Sequence, residues 1–365
     1  MKRILFYFGH PAHYHLFKNV ISAILDKNYK VNILIKKKDV LEELMQQSGF
    51  GYENILPEGR KDNKISMAVG VVKRSWRLIK YCIKNRPDIL IGTSAEIGHV
   101  GSLLSITSIN VNEEDFFVGP LYSKVSYPYC SHILSPDVCN NGKWEKKSVK
   151  YVSYHELAYL HPNNFSPDKD VVRKYIPANK KYFLLRFVKF GAHHDSGIKG
   201  ITDELALKII NILKPYGNIV LTSERKIDPV LEPYKLKINP MDMHHMMAFS
   251  ELFIGDSQTM AAEAGVLGVP FIHFNDFAGR IGYLNDIENK YELGYGINSN
   301  HTEILLEKVK ELVEMPNRGE IFQKRREKML SEKIDVTAFM VWFIENYPNS
   351  FELMKKYPDY QYKFK

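Results

Sequence analysis

The sequence predicts an α/β fold of two Rossmann-like domains facing across a cleft. Three observations predict it. Buried apolar runs alternate with helical periods from the first residues onward, the pattern of a parallel sheet. The same alternation restarts near residue 181, after a stretch with no clean period. The length of 365 residues also exceeds what one hydrophobic core usually organises.

Residues 2–8 (KRILFYF) suit a buried first strand. Residues 9–15 (GHPAHYH) form a loop and helix start, and the helix continues through Leu16, Val20, Ile21 and Leu25. Residues 29–35 (YKVNILI) give a second strand and 38–47 a second helix, with Gly49 near its end. Residues 66–86 are a long helix carrying Lys73, Arg74, Arg77, Lys80, Lys84 and Arg86, with Val71, Val72, Trp76, Ile79 and Ile83 interleaved. Its plain reading is a core-packed helix with a solvated basic face; its sharper reading is a helix lying on a membrane. Pro87 closes it, residues 88–92 (DILIG) form a strand, and Thr93-Ser94-Ala95-Glu96 opens another helix. Residues 132–135 (HILS) read as a further strand. Residues 151–168, rich in Tyr, Pro, Asn and His, read as the interdomain connection.

The second series begins with a strand at 181–187, then a helix at 202–213, a strand at 218–222 and a helix at 241–249. Residues 255–274 (GDSQTMAAEAGVLGVPFIHF) follow as a strand end, a polar loop, a short helix stopped by Gly268 and a second strand. Helices at 302–314 and 319–331 precede a tail with a helix through Phe339, Trp342 and Phe343. The expected boundaries are 1–160, 161–340 and a tail, 341–365, packing back on the N-terminal domain.

Composition narrows the class. Three cysteines make no disulfide framework, and a reducing cytoplasm is the simplest setting. The N-terminus lacks a signal-peptide pattern, and there is no apolar run of about 18 residues. The net charge of +8 favours acidic partners: nucleotide phosphates, anionic lipid or nucleic acid. A nucleic-acid role is disfavoured, because the basic residues fall in no recognisable binding module.

The loop at Ser257, Gln258 and Thr259 opens a helix at a strand's carboxyl end, where open α/β sheets bind anions. Six residues on, Glu263 stands alone among alanines. A nucleotide-sugar site would place phosphates on the loop and the ribose diol on Glu263; the plain alternative is a capped helix with one solvated Glu. His10, His13 and His15 follow the first strand. A helix dipole disfavours a cationic His at that end, so a neutral general base fits, with His13 ranked first, His10 next and Glu96 a further catalytic candidate. The spacing of the three histidines is poor for a metal. In LLRFVKFGAHHDSG, Arg186 can clamp a diphosphate and Lys189 add a point charge, with His193, His194 and Asp195 beyond and Gly191 and Gly197 loosening the loop; a solvated loop explains them equally. Ser223 and Glu224 follow the strand NIVLT, where a nucleotide site faces base or phosphate. Asn112-Glu113-Glu114-Asp115, Asp137 and Glu156 are further polar candidates. No GxSxG elbow occurs.

The order of these pieces resembles GT-B glycosyltransferases and the non-hydrolysing UDP-N-acetylglucosamine 2-epimerases. Ser257 and Glu263, followed by Gly268-Val269-Pro270, stand where those families hold the diphosphate and the ribose. Ala12-His13 resembles the Gly-His of lipid-linked N-acetylglucosaminyltransferases and plant-type glucosyltransferases, where the His is base or acceptor-side residue. Over residues 1–345 the chain is similar to an uncharacterised GT-B-like family with a GHPAHxHxF start, a YHELAYLHP segment and an LLRF…AHHD segment, all present here. It departs from the epimerases in carrying RFVKFGAHHDSG in place of His-Arg-Arg-Glu-Asn, and from the lipid-linked transferases in lacking Gly-rich loops after strand one. The resemblance implies a GT-B fold and a metal-independent glycosyltransferase without cofactor. Its expected donor is a UDP-sugar, its acceptor a glycan or a lipid-linked sugar. The expected setting is cell-surface polysaccharide or glycolipid assembly, in the cytoplasm or at the membrane's inner face with peripheral membrane contact. The alternatives are an epimerase or hydrolase of UDP-N-acetylhexosamine, and a non-catalytic nucleotide-sugar sensor.

Overall fold

The computed structural model describes residues 2–57, 64–189 and 199–365. The chain divides into two compact units. One comprises the residues up to Tyr159 together with Ile334–Lys365; the other is Leu160–Lys333.

In the first unit β1 (Arg3–Phe8) leads through α1 (Pro11–Asp26) to β2 (Lys30–Lys36), α2 (Leu41–Ser48) and β3 (Glu53–Leu56). Next come α3 (Lys64–Asn85), β4 (Ile89–Gly92), α4 (Ala95–Leu104), β5 (Thr107–Val111), α5 (Pro120–Ser126), β6 (His132–Pro136) and β7 (Ser148–Tyr151). Among the described residues the strands pair in parallel in the order β3-β2-β1-β4-β5-β6-β7. Ile4 to Phe8 are all buried, as a central strand covered on both faces requires. Strand order reverses between β1 and β4, and the carboxyl ends at such a switch point are where doubly wound sheets bind ligands. Gly92 ends β4 there because a Cβ would lie 2.7 Å from the Tyr7 carbonyl oxygen.

The second unit contains α6 (Lys169–Arg173), β8 (Tyr182–Phe187), α7 (Asp203–Leu213), β9 (Asn218–Ser223), α8 (Met243–Ala248) and β10 (Phe253–Gly255). It continues through α9 (Gln258–Val266), β11 (Phe271–Phe274), α10 (Gly282–Asn285), β12 (Gly294–Ile297), α11 (Thr302–Glu314) and α12 (Arg318–Glu332). The described strands are parallel in the order β12-β11-β10-β8-β9, so this sheet reverses between β8 and β10. Gly268 stops α9 with φ of 73°, a conformation that favours glycine.

The chain then returns to the first unit as α13 (Val336–Glu345) and α14 (Asn349–Lys356). Lys2 Nζ donates to the carbonyls of Glu345 (3.0 Å) and Tyr347 (2.6 Å), and the His132 ring stacks on Phe351 at 3.8 Å. The return falls at residues 333–334 rather than at 340–341. Asp335 caps α13, whose Val336, Phe339, Met340 and Phe343 are all buried, so the whole helix belongs to the first unit's core.

The third helix also differs from its plain reading. Leu78 and Cys82 face the core, whereas Val71, Val72, Trp76 and Ile83 are exposed. Arg74, counted among the solvated cations, is buried.

Candidate functional site

The first unit's switch point gathers the histidine motif. Pro11 occupies the first turn of α1, where its missing N–H costs nothing, and His10 caps the helix by accepting from Ala12 N at 3.3 Å. His13 sits one turn in. Its Nδ1 accepts from the Gly9 N–H at 3.0 Å, which places the proton on Nε2, and the Thr93 hydroxyl lies against the ring edge, 3.0 Å from Nδ1 and also in contact with Nε2. Burial holds its pKa well below the usual imidazole value, and the neighbouring His10, Lys36 and His155 side chains add to the effect. His13 is therefore neutral, as expected, but burial rather than the helix dipole is the leading cause. The same hydrogen bond makes it a donor at Nε2. His15 lies further along α1, its ring 5.4 Å from that of Tyr159.

Glu96 opens α4 beside the same switch point and meets Arg74 Nε at 2.6 Å, with both side chains buried. Burial works to raise its pKa, but Arg74 and Lys36 overcome that and hold it below the usual carboxylate range. An anion locked to a buried guanidinium is a structural pair.

Past β5, Asn112 donates to Tyr127 Oη at 2.7 Å and to the Glu114 carbonyl at 3.0 Å, fixing the acidic turn. Asp115 accepts from Asn140 N at 2.6 Å. Glu113 Oε2 lies 3.2 Å from His155 Nδ1. His155 begins a short 3-10 turn, His155–Ala158. The Ala158 carbonyl receives Asn19 Nδ2 from α1 at 3.0 Å and Thr337 Oγ1 from α13 at 2.6 Å, which hold that turn in place. The Tyr151 ring stacks on the His155 ring with centroids 6.3 Å apart. The sequence singled out YHELAYLHP but gave no sign that His155 meets Glu113, which lies 42 positions upstream.

The second unit holds the anion-binding candidates. Ser257 caps α9, its Oγ accepting from Met260 N at 3.3 Å. The N–H groups of Gln258 and Thr259 have no acceptor within the helix and point out at the carboxyl end of β10. Asp256 Oδ1 accepts from Val188 N at 2.7 Å and Oδ2 from Ile201 N at 3.3 Å, so it ties β8 and α7 to this loop. Burial pushes its pKa up to about 6 against those two bonds.

Glu263 is 5% exposed, which removes the solvated-Glu alternative. Its Oε1 lies 2.9 Å from His244 Nε2 on α8. His244 takes one of the carboxylate's roughly four lone-pair sites and fixes its rotamer. Sequence reading missed His244, since nothing in the run MHHMMA names its partner.

Arg186 and Glu224 form an ion pair at the ends of β8 and β9, and Lys189 N donates to Glu224 Oε2 at 3.3 Å. Ser223 Oγ closes a local turn with the Arg225 carbonyl at 2.8 Å. The structure thus brings Arg186, Lys189, Ser223 and Glu224 together, with Glu224 opposing the positive charge expected for phosphate. His193, His194, Asp195, Gly191 and Gly197 lie outside the described residues. Among the described residues no three His, Cys, Asp or Glu side chains are placed to hold a metal ion.

Residues 4–347 match a family described as "Protein of unknown function (DUF354)". No curated protein matches the sequence. Solved structures do. The UDP-GlcNAc 2-epimerase from Neisseria meningitidis bound to UDP-GlcNAc superposes with a TM-score of 0.66 at 14% identity, covering 94% of this chain and 99% of that one. S. aureus MnaA with UDP gives 0.68 at 14% identity, covering 96% and 98%. The calicheamicin glycosyltransferase CalG4 gives 0.58 at 12% identity, covering 95% and 98%. At such identities the likeness shows the fold: two Rossmann-like units of the GT-B class.

Proposed function

The chain belongs to the DUF354 family, whose description assigns no function, and from that premise and the site's geometry we propose that it is a nucleotide-sugar enzyme, a glycosyltransferase with a UDP-sugar donor. The observation that carries the reading is Glu263, buried and held by His244, about 9 Å along α9 from a helix start whose first N–H groups are unsatisfied within the helix. That pairs an anion site with a fixed carboxylate, the two chemistries a nucleoside diphosphate needs for its phosphates and its ribose diol. Transfer requires stabilisation of the leaving diphosphate and removal of the acceptor proton. The first demand falls on Gln258 and Thr259 N–H with Arg186; no metal enters this scheme.

The test is calorimetric titration with UDP and a panel of UDP-sugars. UDP binding weakened about ten- to hundredfold by Glu263→Ala is expected, the size of a lost charge-assisted hydrogen bond. Unchanged affinity would refute the ribose assignment. A second reading, epimerisation or hydrolysis of a UDP-N-acetylhexosamine, draws on the epimerases among the structural neighbours. A changed or released sugar from donor alone, with no acceptor requirement, would favour it.

We further propose a lipid-linked acceptor approached at a membrane's cytoplasmic face. The support is the outer face of α3, where Val72 (70% exposed), Trp76 (54%) and Ile83 (61%) share one stripe flanked by Lys73, Lys80 and Lys84. Among the described residues no helix is long and apolar enough to cross a membrane.

A further inference from the structure

We propose that His244 is the positioning residue that makes this site read the ribose hydroxyls, by fixing the plane of the Glu263 carboxylate. The proposal rests on the nucleotide-sugar reading and names the residue behind a preference for ribonucleotides over deoxyribonucleotides. Every residue it uses lies within Leu160–Lys333.

A glutamate side chain does not set the plane of its own carboxylate. The last torsion, which turns that plane, has a broad and nearly two-fold profile. A ribose diol presents two hydroxyl donors at a fixed spacing. Reading them calls for a plane set before the ligand arrives, because ordering it on binding costs affinity. The neighbours of Glu263 in α9 offer no side-chain hydrogen bond: Ala261, Ala262 and Ala264 are all fully buried methyl groups. A polar partner comes from α8 instead. His244 Nε2 lies 2.9 Å from Glu263 Oε1, and the two residues are 4% and 5% exposed. A carboxylate only accepts, so the shared hydrogen sits on Nε2. One donor held on one oxygen stops the rotation.

His244 is itself held. A helix of six residues such as α8 is not stable on its own, and neighbouring elements fasten it along its length. Tyr175 Oη donates to Asp242 Oδ2 at 2.9 Å where the helix begins. Tyr182 Oη, on β8, donates to the Met246 carbonyl. Asp168 N donates to His245 Nδ1 at 3.0 Å. Phe165 touches both histidines, edge-on to His244 with centroids 6.2 Å apart and 4.9 Å from the His245 ring. Residues 161–168 (HPNNFSPD) read in sequence as part of a connection. In the fold their Phe165 and Asp168 buttress the helix that carries His244.

Discrimination follows from this arrangement. A site built to accept from a substrate hydroxyl rejects the analogue that lacks it, because the buried acceptor is then left unpaired. The rejection is full only while the acceptor cannot turn to another donor. With His244 in place Glu263 cannot turn. Without it the carboxylate relaxes, and a deoxyribose is penalised less.

Calorimetric titration of the full chain with UDP, 2′-deoxy-UDP and 3′-deoxy-UDP tests this. The readout is the Kd of each deoxy analogue divided by that of UDP, the larger ratio being used. Wild type is expected to give a ratio of about ten to a hundred, the scale of a lost hydrogen bond to a charged group. His244→Gln puts its amide N–H where Nε2 lies and is expected to keep the ratio. His244→Asn, which is shorter, and His244→Leu, which has no donor, are expected to bring it close to unity. Whichever of these two unfolds cooperatively in urea carries the measurement. A merely structural role would weaken UDP and its deoxy analogues in parallel and leave the ratio unmoved. A wild-type ratio in folded His244→Asn or His244→Leu therefore overturns the proposal, while Glu263→Ala giving a ratio near unity would leave the ribose assignment standing. If neither variant folds, His244→Gln decides alone, and a ratio lost there overturns the proposal. A wild-type ratio near unity, or an unchanged ratio in Glu263→Ala, removes the ribose reading itself and the role of His244 with it.

Discussion

His273 on β11 is fully buried, and neither ring nitrogen has a hydrogen-bond partner among the described residues. Burial pushes its pKa down to about 4 from 6.5. The folded chain therefore refuses a proton that the unfolded chain binds between those two values. Stability falls as pH drops through that window, by roughly 3 kcal/mol once below it. Asp256 acts in the opposite sense. Its folded pKa, raised to about 6 from 3.8, gives a contribution present at low pH and lost as pH rises through 6. The clean measurement is thus a difference: urea unfolding of wild type and His273→Leu from pH 7.5 to 4. The variant is expected to gain stability relative to wild type as pH falls, and a constant difference would refute the assignment. Ser257→Ala tests a second residue. It removes the α9 cap, costs about 1 kcal/mol and weakens UDP binding by disturbing the first-turn N–H groups. At this scale the sequence showed residues whose role lies in their own element: Ser257 as a cap, Glu263 as an odd carboxylate, His13 after strand one. His155, His244 and the Arg74 partner of Glu96 were illegible, because each is defined by a side chain on another element.

The elements were read well where their apolar runs are long. Strands β1, β2 and β8 and helices α1, α7 and α11 lie within a few residues of their expected bounds. Strands β3, β5, β7 and β12 escaped because they lack the unbroken apolar run that made the four-residue β4 legible, and β12 begins with a glycine that packs against Phe271. Helix α3 shows why a helical period can be right and its orientation wrong. It has apolar residues on two faces, and the buried Arg74–Glu96 pair selects which one turns inward. Removing one partner strands the other charge in the core, so Glu96→Ala is expected to destabilise the fold by about 3–5 kcal/mol. Arg74→Met with Glu96→Leu should recover most of that loss, measured by urea unfolding of the two variants. The outward face carries a separate prediction. Trp76→Asp with Val72→Ser should abolish sedimentation with vesicles containing phosphatidylserine while leaving UDP affinity unchanged. Equal sedimentation of variant and wild type would remove the membrane contact.

At the scale of the molecule, the chain leaves the first unit at Tyr159 and re-enters it at Ile334. The inserted unit, Leu160–Lys333, has its own parallel sheet and its own core, including Leu184, Leu185, Phe253, Ile254, Phe271 and Ile272. Every group assigned to the nucleotide lies inside it: Arg186, His244, Ser257, Gln258, Thr259 and Glu263. The first unit is not independent in the same way. Without residues 334–365 it loses the buried helix α13, the carbonyls that receive Lys2, and Thr337, which holds the turn bearing His155. The two halves should therefore part company when expressed alone. Leu160–Lys333 should unfold cooperatively in urea and bind UDP within a few-fold of the full chain, because no nucleotide-assigned group is lost. The segment ending at Tyr159 should fail to fold until a peptide covering 334–365 is supplied. UDP binding that disappears from the isolated second unit, while that unit still unfolds cooperatively, would move part of the nucleotide site to residues of the first.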